Sequence, residues 1–189
     1  MNKTEIRELV TEGIQLREGE TESRTLIGYA VKWGKKSHRI AGRFVEQFER
    51  GAFADTLTNG EQRALWSHDN SKVLGRTKNN TLRLSEDEIG LRFELDLPNN
   101  TLGNDALESV QRGDVDGVSF GFKALQQKWE NRSADGLIRN VTKADLFEIS
   151  LIGVPAYPDS EVSLRGYNPF NEYQKNTDKR KRLLLKTYV

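Results

Sequence analysis

Residues 114–122 read DVDGVSFGF, and the fold turns on how they are read. Val118, Phe120 and Phe122 recur at every second position, the period of a strand with one face on a core. Ser119 then falls on the opposite face, flanked by Gly117 and Gly121. Glycines weaken a purely structural strand, so this pair points to the close approach of another backbone, such as a substrate strand, beside Ser119. The competing reading is a buried serine with glycines marking a bulge. The letters GVSFG also fit Gly-x-Ser-x-Gly, but no helical pattern follows Phe122, so the strand-turn-helix setting of a hydrolase elbow is missing.

The same period recurs on both sides of this stretch. GLRFELDLP (90–98) alternates Leu91, Phe93, Leu95 and Leu97 against charged residues, and RALWSH (63–68) and TLRLSE (81–86) read as further strands. RTLIGYAVKW (24–33) predicts a strand with Ile27, Tyr29, Val31 and Trp33 on one face. FVEQFERGAFADTLTNG (44–60) predicts a short strand and then a short helix stopping at Asn59-Gly60. In NDALESVQR (104–112), Ala106, Leu107 and Val110 share a helical stripe, with Asn104 as cap and Gly113 as stop. GVSFGFKALQQKW (117–129) and LIRNVTKADLFEISLIGVP (137–155) supply two more strand regions across the polar loop ENRSADG.

About seven strands with helices dropped between them predict an α+β, mainly β fold: a small, mostly antiparallel β-barrel or curved sheet surrounded by a few helices. Composition divides the chain into an N-terminal arm over 1–22, a domain over 23–165, and a basic C-terminal tail over 166–189 expected to be flexible, with its cluster at Lys179–Arg182.

The 189 residues carry a formal net charge of +1 and no cysteine. Disulfides and thiolate chemistry are thereby excluded, and no global basic field marks a nucleic-acid or membrane-surface protein. The N-terminus has no apolar signal region and no stretch reaches membrane-spanning length, so a soluble intracellular protein is expected. The only histidines are His38 and His68. Without a spaced ligand motif they make a poor metal site, and neither metal nor cofactor is expected.

His38 lies in a polar loop and reads as an ordinary exposed residue. His68 closes an apolar strand just where Asp69-Asn70 forces a turn, which puts its ring at the rim of a sheet, where scaffolds present catalytic groups. In ADLFEISLIGVPA, Phe147, Ile149 and Leu151 share the apolar face and leave Glu148 on the other, where a carboxylate needs a partner. That partner is either a basic residue or His68. The three roles fit one chemistry: Ser119 attacks a carbonyl, His68 moves the proton and Glu148 orients the ring. Oxyanion donors would have to be backbone N–H groups, and the Gly153-Val154 turn is the candidate.

The pieces GYAVKW, FVEQFERGAF, LWSHDNSKVLGRT, LRLSEDEIGLRFELDLP, GDVDGVSFGF and LFEISLIGVPAYPDSEV, in this order, resemble the bacteriophage prohead (capsid maturation) proteases of HK97-like phages. The resemblance covers roughly residues 25 to 163. It implies a serine endopeptidase with a fold similar to the herpesvirus assemblins, in the chain order His68, Ser119, Glu148. Glu148 stands where the herpesvirus relatives carry a second histidine. The resemblance further implies a protein that works inside the procapsid in the host bacterial cytoplasm. There it would cleave either the scaffold region of the major capsid protein or a separate scaffold protein, with self-cleavage as a further expectation. Self-association is a further expectation, as in the assemblins, and the KRKRLLLK tail is expected to tether the enzyme to its partners or to be cut off.

Two rivals stand beside this reading. One is a non-enzymatic capsid-assembly or scaffold module of the same fold, in which the three side chains diverge. The other is a nucleic-acid-binding barrel built on Trp33, Trp66, Trp129 and the basic tail, disfavoured because aromatic and basic residues do not interleave on one face.

Overall fold

The computed structural model describes residues 4–9, 14–17, 23–132, 136–153, 165–166 and 169–187. In chain order the elements are β1 (Glu5–Leu9), β2 (Gln15–Leu16), β3 (Thr25–Lys32), β4 (Phe44–Phe48), α1 (Ala54–Asn59), β5 (Arg63–Trp66), β6 (Asp69–Arg76), β7 (Leu82–Glu86), β8 (Gly90–Asp96), α2 (Thr101–Gln111), β9 (Gly117–Arg132), β10 (Gly136–Ile152), β11 (Arg165–Gly166) and α3 (Pro169–Thr187). One sheet runs β11-β1-β9-β10-β5-β6, with β4 also paired to β10; the second runs β2-β3-β8-β7. The fold is α+β and mainly β, a curved half-barrel with a few flanking helices, as the strand spacing predicts. Pairing is antiparallel except where β4 and β5 run parallel to β10. Among the described residues eleven strands form where about seven are expected, because short pairings such as β2 and β11 leave too few residues for a period to register.

The two sheets close on one core. Val118, Phe120 and Phe122 are fully buried, as their alternation predicts, and belong to the same cluster as Leu91, Phe93 and Leu95. Phe48 joins them edge-on, with ring centroids 5.4 Å from Phe120 and 5.1 Å from Phe122.

Bulges overturn two of the predicted faces. In β3 the register shifts between Tyr29 and Val31, so Leu26 and Ala30 join Val31 in the core while Ile27 and Tyr29 stay half-buried. In β10 the shift lies between Leu146 and Glu148, so Leu146 joins Ile149 and Leu151 inside and Phe147 is exposed. The α2 cap is also displaced. Asn100, not Asn104, accepts from the Gly103 N–H at 2.9 Å, and the helix begins at Thr101.

Part of the expected arm forms β1 and β2, and much of the expected tail forms α3. Residues 5–9 pair with β9 across the register Glu5↔Phe122 to Leu9↔Val118. Glu5 and Arg7 reach from this strand into a buried network with Glu46 of β4 and Arg139 of β10. α3 sets Phe170 over Phe44 and Tyr173 over Trp129, while Lys179, Arg180 and Lys181 are exposed. The other tryptophans also pack. Trp33 stacks near Phe53 and donates Nε1–H to the Asp87 carbonyl, and Trp66 lies against the core, so the three form no stacking platform. Among the described residues no helix is long and apolar enough to cross a membrane.

Candidate active site

β5 and β6 form a hairpin whose two central residues, Ser67 and His68, both have positive φ, at 50° and 60°. The turn therefore lies one pair earlier than predicted, and Asp69 and Asn70 already belong to β6. Two positive φ values are the requirement of a type I′ turn, which favours Asn and Gly. A histidine held in this conformation is strained, and such strain persists where the surroundings impose it.

Those surroundings come from β10. The parallel pairing of β5 with β10 ends at Leu151↔Trp66, and the next amide, Ser67 N–H, donates to the Leu151 carbonyl at 3.1 Å. The His68 N–H then donates to Ser150 Oγ at 3.2 Å, and the ring Nδ1 lies 2.7 Å from Glu148 Oε1. The second oxygen, Glu148 Oε2, accepts from the Ser150 hydroxyl at 2.6 Å. Of the two partners considered for Glu148, the structure supplies the histidine.

Gly121 makes room for this carboxylate. It lies opposite Glu148 in the β9–β10 register, and a Cβ there would sit 2.9 Å from Oε1 and 3.1 Å from Cγ. In the plane of the sheet β1 runs along one side of Gly121 and β10 along the other, so the space reserved for a substrate strand is already paired there. Gly117 pairs with Ile152 of β10.

Ser119 is directly opposite Ser150 and so shares the face of Glu148 and His68. Its side chain is not open to an approaching strand, as the flanking glycines suggested. It is fully buried, and its hydroxyl donates to the Arg7 carbonyl of β1 at 2.8 Å. His68 Nε2, by contrast, is buried without a hydrogen-bond partner. A buried ring nitrogen left open is costly unless it has a task. Gly153 follows β10 beside the Asp114 carbonyl, Val154 lies outside the described residues, and His38 is exposed.

Sequence reading missed Ser150 and the Arg7 carbonyl. Ser150 was within reach of it, because two residues after Glu148 on a strand means the same face. The Arg7 carbonyl has no side-chain signature and depends on a pairing between residues 112 apart.

The arrangement offers a hydroxyl, an imidazole with one nitrogen anchored and the other open, and a carboxylate fixed through both oxygens. A family model described as Caudovirus prohead serine protease matches residues 12–175. No curated protein and no solved structure matches the chain.

Proposed function

The chain belongs to the Caudovirus prohead serine protease family, and we propose that this phage maturation protease cuts peptide bonds with Ser119 as nucleophile, His68 as general base and Glu148 as the residue that orients His68. The observation that carries the assignment is the His68–Glu148 pair. With Nδ1 held 2.7 Å from a carboxylate, the neutral ring keeps its proton there and leaves a lone pair on the unpartnered Nε2.

The chemistry follows from that tautomer. Rotation of the Ser119 side chain takes its hydroxyl from the Arg7 carbonyl to Nε2, which removes the proton as Oγ attacks the scissile carbonyl carbon. Glu148 stabilises the imidazolium, which then protonates the leaving amine; water repeats the sequence on the acyl-enzyme. The Gly153 N–H, just after β10, is the proposed source of an oxyanion donor.

The family implies capsid and scaffold proteins as partners. We take the scaffold region of the major capsid protein, or a separate scaffold, as the substrate, with self-cleavage in the same procapsid in the host cytoplasm. Incubating the purified protein and its Ser119→Ala variant with the capsid or scaffold protein encoded beside it, and reading fragments by mass spectrometry, tests this. Cleavage by the wild type alone supports the reading; equal cleavage by both overturns it.

Two further variants probe the carboxylate. Glu148→Ala is expected to slow cleavage by about 10²- to 10⁴-fold yet stay above Ser119→Ala, since an unoriented imidazole still accepts a proton. Gly121→Ala is expected to cost about tenfold or more, because its Cβ displaces the carboxylate and breaks the bond to Nδ1. Initial rates on the same substrate check both, and a wild-type rate in Gly121→Ala would mean that Glu148 tolerates displacement.

A further inference from the structure

Ser150 satisfies two polar groups of the site at once. Its hydroxyl has one proton, given to Glu148 Oε2 at 2.6 Å, and its oxygen accepts the His68 N–H at 3.2 Å. The side chain is fully buried and sits opposite Ser119 across the β9–β10 pair. We propose that Ser150 is a positioning residue for peptide hydrolysis, one that locks the Glu148 carboxylate and the strained His68 backbone into a single network. The proposal rests on the site reading above.

The physical case has two parts. A carboxylate held by one oxygen can pivot about its last torsion, which is broad and two-fold. Fixing Oε2 removes that freedom and keeps Oε1 on Nδ1. The backbone of His68, at φ 60°, is a conformation that an L-residue leaves unless the surroundings hold it. The bond from its N–H to Ser150 Oγ is such a restraint, and it lies on the strand that carries Glu148. One hydroxyl therefore sets the position of the base and the orientation of its partner. A serine that merely satisfied buried groups would support stability without acting through Glu148.

A fluorophosphonate probe measures this without knowledge of the natural cleavage site. Ser119 Oγ forms a bond to phosphorus, the phosphorus–fluorine bond breaks, fluoride leaves, and the hydroxyl proton passes to His68 and then to solvent. Saturation kinetics separate probe binding (KI) from the chemical step (kinact). Ser150→Ala is expected to lower kinact about tenfold with KI unchanged, the scale of a lost hydrogen bond to a charged group. In a Glu148→Ala background the same substitution is expected to cost clearly less than in the wild type, because only the bond to the His68 N–H is then left to lose. Thermal unfolding checks the fold. Ser150→Cys, which fills the space with a weaker donor, is expected to lower kinact in the same direction and serves if the alanine variant melts.

A kinact within about twofold of wild type in Ser150→Ala, or an equal loss in both backgrounds, would overturn the proposal. Failure of the underlying site looks different. In that case His68→Ala and Glu148→Ala label at the wild-type rate, or the wild type takes no label on Ser119, and the proposal falls with it.

Discussion

Ser119→Ala and His68→Ala are each expected to abolish cleavage of the proposed capsid or scaffold substrate, by about 10⁵-fold or more, while both variants still unfold cooperatively close to the wild-type temperature. In the proposed mechanism Ser119 supplies the atom that bonds to the substrate, and Ser150, directly opposite, does not replace it because it already gives its proton to Glu148. His68 is the one imidazole available, because the other histidine, His38, is exposed in a loop outside the site. The fold should survive both changes. Ser119→Ala removes one neutral hydrogen bond, to the Arg7 carbonyl, worth about 1 kcal/mol, which for a domain of this size moves the midpoint by about 2–4 °C. Mass spectrometry of substrate digests beside a thermal melt checks both halves. More than about a tenth of the wild-type rate in either variant would remove that residue from the mechanism.

What the sequence revealed of this site follows from what a period of two can and cannot encode. Alternation in 114–122 placed Phe120 in the core and Ser119 on the other face, because β9 is regular there. The same logic put Glu148 away from Ile149, and it held even though the strand is bulged one residue earlier. It failed at Phe147 and across Ile27–Val31 for the same reason, since a bulge inserts a residue and reverses every face beyond it. The positive-φ turn at Ser67–His68 carries neither glycine nor asparagine, so nothing in its composition announced it. The pairing of β1 with β9 is a long-range event, and a strand of five residues rich in Glu and Arg reads as a solvated arm until its charged partners are known.

Those partners make Arg139 the residue whose loss should cost most in stability: Arg139→Ala is expected to destabilise the protein by about 3–5 kcal/mol in urea unfolding. Arg139 gives Nη1–H to Glu5 Oε2 and Glu46 Oε2, both at 2.5 Å, and Nη2–H to Glu5 Oε1 at 2.8 Å. Arg7 closes the square, with Nε 2.7 Å from Glu46 Oε1 and Nη2 2.5 Å from Glu5 Oε2. All four side chains are buried and their charges cancel, so removing one guanidinium leaves two carboxylates facing one cation away from water. Burial by itself would push the Glu46 pKa up, but the charges of Arg7 and Arg139 outweigh it and hold the carboxyl below its ordinary value. A depressed carboxylate contributes stability that is present above its unfolded pKa and lost as pH falls through the folded one. Without Arg139 the folded value rises, so the variant should also unfold in acid at a higher pH than the wild type. The network joins β1 to β4 and β10, and β1 carries the carbonyl that holds the Ser119 hydroxyl, so the same variant should lose activity along with stability. A loss below about 1 kcal/mol would rank the quartet with surface ion pairs and leave the seating of β1 to its backbone pairing alone.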